Sequence, residues 1–249
     1  MIALKNADEI RAIERAGRIL AALFVEIEQH VVPGASTAEL DRLAEEFIRS
    51  HDGAEPAFKG LYGFPASLCT SINEEVVHGI PSAKRRLQPG DILSVDAGVK
   101  LDGWYADAAR TFPVGPVDER TAALLQVTKD ALSAGINQAR AGNRLGDIGH
   151  AIQELAEAAG FGVVRDLVGH GIGREPHEEP QVPNYGRPGR GLRLQPGLVL
   201  AIEPMINAGE IGVRTLADRW TVVSADGSRS AHFEQTVAIT ESGPLVLTA

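Results

Sequence analysis

One short phrase occurs twice in this chain, and it restricts the fold more than any other feature. Leu87-Gln88-Pro89-Gly90 returns as Leu194-Gln195-Pro196-Gly197, 107 residues later (194 − 87). Each copy runs into a strand-like stretch that ends in an acid, Asp96 in the first and Glu203 in the second, again 107 apart (203 − 96). Upstream, Gly34 and Gly142 precede amphipathic helical patterns at an offset of 108 (142 − 34), and Gly53 and Gly160 follow them at 107 (160 − 53). A helix-then-strand order repeated at a nearly constant offset points to duplication. Two halves, approximately 1–115 and 116–249, would form a single domain about a pseudo-twofold axis. That axis would bring Asp96 and Glu203 towards a shared centre.

The helices within each half are marked locally. Asn6 with Glu9 reads as a capping box opening a helix with apolar positions at Ile10, Ile13, Leu20, Leu23, Phe24, Ile27 and Val31, which Pro33-Gly34 ends. Ser36 with Glu39 caps a second, with Leu40, Leu43, Phe47 and Ile48 as its buried stripe. A loop rich in Gly and Pro is expected from Gly53 to Pro65, then strands at Ile92 to Val99 and Trp104 to Pro113. In the second half, helices are expected from Asp118 to Arg140 and through Ile148, Ile152 and Leu155. Strands follow at Leu198 to Ile202, Trp220 to Ser224 and Gln235 to Thr240.

Asp102-Gly103 marks the turn of a hairpin running from Asp91 to Pro113. With Leu101 and Asp102 in the turn, Asp96 faces Asp107 directly; with Asp102-Gly103 in the turn, the two acids are diagonal neighbours. Both registers place them on one face, and a three-residue loop would separate them. Carboxylates held that close must share a proton, lose solvent or bind a cation. Val95, Ala97 and Val99 alternate with Ser94, Asp96 and Gly98, which buries one face and turns the acids to the other. Glu234, after His232-Phe233, stands in another hairpin-like segment. In Gly169-His170-Gly171-Ile172-Gly173, glycines on both sides let other groups approach His170 closely. This run lacks the Lys-Ser/Thr ending of a phosphate loop, and His177-Glu178-Glu179-Pro180 lacks the spacing of a zincin.

Taken together, these residues resemble the metal-binding set of the bacterial type I methionine aminopeptidases. Asp96, Asp107, His170, Glu203 and Glu234 stand in the order of that family's five ligands. The segments Ser71-Ile72-Asn73-Glu74 through Val77-His78-Gly79-Ile80-Pro81, Glu203-Pro204 and Trp220-Thr221-Val222-Val223 agree with it, so the likeness spans nearly the whole chain. The resemblance implies an α+β pita-bread fold: two pseudo-twofold halves around an antiparallel sheet, with helices on the outer face. It also implies two divalent ions in a hard, oxygen-rich site suited to Mn, Fe(II) or Co and tolerant of Zn. Asp107 and Glu234 would bridge both ions, Asp96 would hold one, and His170 with Glu203 the other. Glu203 would shuttle the proton from a bridging water to the leaving amine, His177 would stabilise the tetrahedral intermediate, and His78 would contact the peptide.

By the same resemblance, the methionine pocket is formed by Leu61, Phe64, Cys69 and Trp220, with Tyr62 near the rim and His232 close by. The other reading of Phe64 and Trp220 is plain core packing. Cys69 would be lining rather than nucleophile, having no positioned base. Leu61 stands where many relatives carry tyrosine, Pro176 replaces a bulkier apolar residue, and His232 and Gln235 flank Glu234 where other pairs are common; these departures touch pocket shape, not the ligands. The expected substrate is the N-terminal Met of nascent peptides with a small second residue.

A formal charge of −9, from 24 basic and 33 acidic residues, argues against a DNA-binding surface, and Lys84-Arg85-Arg86 reads as a solvated loop. A co-translational enzyme implies transient ribosome contact, which that acidic balance does not itself support. No apolar run approaches the ~20 residues of a membrane span, Met1 to Glu14 is no signal peptide, and a single cysteine fits a reducing compartment. The expectation is a cytoplasmic monomer. Two rivals share the fold. Xaa-Pro peptidases usually add an N-terminal domain, whereas the first helix here begins by about residue 7. Non-catalytic binding proteins typically lose ligands, and all five are present. The interval of 31 residues from Glu203 to Glu234 (234 − 203) leaves no room for the helical insertion of type II enzymes.

Overall fold

The computed structural model describes residues 2–249; Met1 lies outside the described residues. The chain runs α1 (Ala7–His30), α2 (Thr37–Arg49), β1 (Ala54–Pro56), a single 3-10 turn (Leu61–Gly63), β2 (Leu68–Ile72), β3 (Glu75–Val77), β4 (Ile92–Leu101) and β5 (Trp104–Pro113). It continues α3 (Glu119–Gln138), α4 (Leu145–Ala158), β6 (Gly162–Val163), β7 (Gly169–Gly171), β8 (Glu178–Val182), β9 (Val199–Ile202) and β10 (Met205–Asn207). The last strands are β11 (Val213–Thr215), β12 (Val222–Ser224), β13 (Ser230–His232), β14 (Gln235–Thr240) and β15 (Gly243–Val246).

Both expected capping boxes form. The Asn6 side chain accepts from the Asp8 and Glu9 amides while Glu9 reaches back to the Asn6 amide, and Ser36 and Glu39 do the same at α2. Each box satisfies amides that the first helical turn would otherwise leave without partners. The inner face of α1 buries Ile13, Leu20, Leu23, Phe24 and Ile27, each worth about 1.5–3 kcal/mol of apolar transfer. These side chains pack with α2 onto β2, β4 and β5. A second core unites α3 and α4 with β9, β10 and β14. Among the described residues, no helix is long and apolar enough to cross a membrane.

The duplication reaches the backbone. Gly34 and Gly142 have φ of 89° and 97°, Gly53 and Gly160 have 75° and 78°, and Gly90 and Gly197 have 91° and 94°. The Gly34 amide donates to Leu87 O at 2.8 Å, and the Gly142 amide to Leu194 O at 3.0 Å. Isolated bridges join Ser36 to Arg86 and Arg144 to Arg193, the same contact in each half.

Among the described residues, strand pairing is antiparallel and divides into four hydrogen-bonded sheets. In the first, β4 pairs with β5 on one edge and with β1 and β2 on the other; the largest has the order β15-β14-β9-β7-β8. Side-chain and backbone bonds stitch β5 to the segment entering β14. The Asp107 amide donates to Thr236 Oγ1 at 3.0 Å, Thr236 Oγ1 donates to Asp107 O at 2.8 Å, and the Glu234 amide donates to Ala109 O at 2.9 Å. This seam places the acid-bearing ends of the two halves side by side.

Three expectations need correction. The stretch from Gly53 to Pro65 is not all loop, because Ala54–Pro56 finds a free edge of β4 to pair with. The strand expected from Trp220 begins at Val222, since Asp218 draws the Trp220 and Thr221 amides into a turn, both at 2.9 Å. Within Lys84-Arg85-Arg86, Arg85 is half-buried and not free in solvent: it reaches the buried Glu75 carboxylate at 2.7 Å.

Candidate metal centre

The turn of the β4–β5 hairpin settles the register left open by the sequence. Asp102 and Gly103 both have positive φ, 52° and 77°, as a type I′ turn requires, so Leu101 pairs with Trp104. Gly98 then faces Asp107, and Asp96 faces Ala109. The two acids are diagonal neighbours on one face of the pair. Glu203 follows β9 directly, its backbone carbonyl held by Asn184 Nδ2 at 3.1 Å. His170 lies in β7 between glycines that cannot be larger. A Cβ on Gly169 would sit 2.3 Å from Ala201 O, and one on Gly171 would sit 2.4 Å from Glu179 O. The His170 Nδ1–H donates to Gly171 O at 2.9 Å, which leaves the Nε2 lone pair facing the acids.

Ligand atoms of Asp107, His170 and Glu234 all lie within 4.8 Å of one another. Glu203 Oε1 is 3.5 Å from His170 Nε2, and its Oε2 is 3.6 Å from His232 Nε2. Asp96 Oδ1, Asp107 Oδ1 and Glu234 Oε1 are buried without a hydrogen-bond partner. Burial pushes the Asp96 and Glu203 carboxyls up to about 7, and it raises Asp107 and Glu234 well above the carboxylate range, with the neighbouring acids adding to the rise. Burial also lowers His170 and His232, which favours neutral imidazoles and leaves His170 able to ligate. Several unpartnered buried oxygens and an imidazole lone pair, with repulsion among the acids, make a donor set that a divalent cation would complete.

All the residues singled out for pocket or ligand roles line one cavity of about 260 Å³, with the acids, His170 and His232 on its wall beside an apolar portion. Cys69 pairs with Asp96 across β2 and β4, and burial raises its thiol pKa well up, which suits lining and not attack. Phe64 meets Trp220 edge-on at 5.1 Å, and His78 lies edge-on to Trp220 at 6.5 Å. His78 has φ of 60°, a strained conformation kept because the following Gly79 packs against Thr70. At the mouth, exposed Tyr62 stacks on His177 at 6.0 Å, and His177 meets the His170 ring at 4.5 Å. Sequence reasoning missed Phe58, Val77, Leu167, Val168 and Met205. Each sits in a short apolar stretch that carries no chemical signal, indistinguishable from core without the fold.

The chain belongs to metallopeptidase family M24, whose model matches residues 11–241. Within that family it stands with the bacterial methionine aminopeptidases. It is 56% identical over 248 residues to the methionine aminopeptidase of Clostridium acetobutylicum, covering 100% of this chain and 99% of that one. The crystal structure of the Thermotoga maritima methionine aminopeptidase superposes with a TM-score of 0.98 at 46% identity, covering 100% of this chain and 99% of that one. A prolidase from Pyrococcus furiosus shares the fold alone, with a TM-score of 0.77 at 24% identity over 99% of this chain and 65% of its own. The chain therefore has the pita-bread fold and the makings of a metal-dependent aminopeptidase.

Proposed function

We propose that this protein removes the N-terminal methionine from nascent polypeptides, using two divalent cations held by Asp96, Asp107, His170, Glu203 and Glu234. The observation that carries this reading is the meeting of four carboxylates and one imidazole at one wall of a cavity with an apolar portion. Asp107 and Glu234, nearest the seam, would be shared by both sites; Asp96 would complete one, and His170 with Glu203 the other. When bound, the cations supply the charge that makes water nucleophilic near neutral pH and polarises the scissile carbonyl. Mn, Fe(II) and Co suit these donors, and Zn is tolerated.

Glu203 carries the proton from the attacking water to the leaving amine, its carboxylate standing at the cavity wall beside His170. His177 at the mouth donates to the developing oxyanion, and His78 contacts the scissile or the following peptide group. Leu61, Phe64, Cys69 and Trp220 enclose the thioether, and Tyr62 borders the entrance. The halves act as one catalytic domain, and the enzyme works as a cytoplasmic monomer in transient contact with ribosomes.

The test is a peptide panel, Met-Ala-Ser against Xaa-Pro substrates, run on protein purified without chelators and analysed for metal. Release of methionine with about two metal ions per chain is expected. Cleavage of Xaa-Pro peptides but not Met-Ala-Ser would overturn the substrate assignment. Retained turnover in Glu203→Gln would overturn the proton shuttle.

A further inference from the structure

His232 has no role in the scheme above, yet its surroundings are built with care. It ends β13, and its backbone is clamped to β5 from both sides. The His232 amide donates to Thr111 Oγ1 at 2.9 Å, and that hydroxyl donates to His232 O at 2.8 Å. Thr111 is itself held by Ser94 Oγ at 2.8 Å. The residue is 1% exposed and its ring borders the cavity, with Nε2 buried and unpartnered. A buried imidazole nitrogen without a partner is costly, so its retention calls for a partner that arrives in the working state.

The nearest candidate is Glu203. Its two oxygens are flanked by two imidazoles, Oε1 by His170 Nε2 at 3.5 Å and Oε2 by His232 Nε2 at 3.6 Å. His170 Nδ1 is committed to Gly171 O, so His170 presents a lone pair. His232 Nε2 faces carboxylates, where a lone pair would be repelled, and so it carries the hydrogen. A ligand is thus on one side of Glu203, and a hydrogen-bond donor is on the other.

We infer that His232 is a positioning residue for Glu203: its Nε2–H holds Oε2 and fixes the carboxylate plane so that Oε1 points towards the cations. This rests on the metal-dependent reading of the site and adds a part to it. Closing the gap by about half an ångström would make an ordinary hydrogen bond. The role needs a donor at that spot and nothing more specific, so a side-chain amide should substitute.

The experiment compares His232→Leu, which keeps bulk but removes the donor, with His232→Gln, which restores one. Both are loaded with Co(II), and their visible absorption, metal affinity by calorimetry, and kcat and KM on Met-Ala-Ser are measured. Loss of groups that orient metal ligands typically costs 10–100-fold. Expected for His232→Leu are a kcat about 10–100-fold lower, KM within about twofold, and an altered Co(II) band; His232→Gln should recover most of both. A leucine variant with the parent's band and kcat would overturn the inference, as would a glutamine variant no better than the leucine one. If His232→Leu does not fold, as judged by its melting curve, His232→Ala is read against His232→Gln in the same way. Should the parent enzyme bind Co(II) but release no methionine, the proposed substrate fails, and the Co(II) band alone still decides the position of Glu203.

Discussion

Replacing Asp96 with Asn should make the metal-free protein more stable and the metal-loaded protein less so. Burial, with the Glu203 carboxylate nearby, lifts the Asp96 carboxyl from its ordinary 3.8 to about 7. As pH rises from about 4 to about 7, the unfolded chain has released this proton while the folded chain keeps it. Metal-free stability therefore falls across that window and levels off above it. The full penalty, roughly three pH units at about 1.4 kcal/mol each, approaches about 4 kcal/mol. Asn escapes it, but a buried amide short of partners costs about 1–3 kcal/mol. The net gain near pH ~8 is then about 2 kcal/mol, which for a chain of this length raises Tm by roughly 4–8 °C. Near pH ~4 the gain should vanish or reverse, because the native carboxyl is neutral there too. Calorimetric melts in chelator at both pH values, repeated with saturating Mn(II), measure each part. The Mn(II)-induced rise in Tm should be clearly smaller in the variant. A variant that melts no higher than the parent near pH ~8, or gains equally near pH ~4, would refute the reasoning.

Asp107→Asn should abolish metal binding and peptide hydrolysis, since a neutral amide bridges two cations poorly; full activity with unchanged metal content would refute its bridging role. Trp220→Ala removes the ring that meets Phe64 at 5.1 Å and should reduce methionine turnover much more than metal content. Equal loss of both would make Trp220 a structural residue. Gly171→Ala drives a methyl group to 2.4 Å from Glu179 O, so it should destabilise the fold by about 1–3 kcal/mol and displace His170. Urea denaturation and metal titration read these two effects separately.

Much of the architecture was legible because its determinants are local. The capping boxes at Asn6 and Ser36 use residues three apart, and such signals survive without tertiary context. The repeat was legible because each copy needs a positive-φ glycine, and the paired φ values of Gly90 and Gly197 show why both copies kept it. That Asp96 and Asp107 share a face followed from the parity of a two-residue turn; whether they are opposed or diagonal did not. Asp102 and Gly103 decide that only through their own φ values. Strands such as Gly162–Val163 could not be read, because two residues carry no period and pair only where Ile206 and Asn207 are already in place. The apolar wall was half visible. Phe64 and Trp220 were reached only through the likeness to a known family, while Leu167 and Met205 have nothing in their neighbours to separate lining from core.

The seam between β5 and the entry to β14 carries a consequence for handling the protein. Thr236 locks both backbone groups of Asp107, and Ala109 holds the amide of Glu234, so the two most buried acids sit on opposite banks of a single joint. A cation lodged between them would act as a rivet through the two halves. Prying the lobes apart must empty the rivet hole, and emptying it obliges the acids on both banks to take up protons, because burial holds their carboxyls well above the ordinary range.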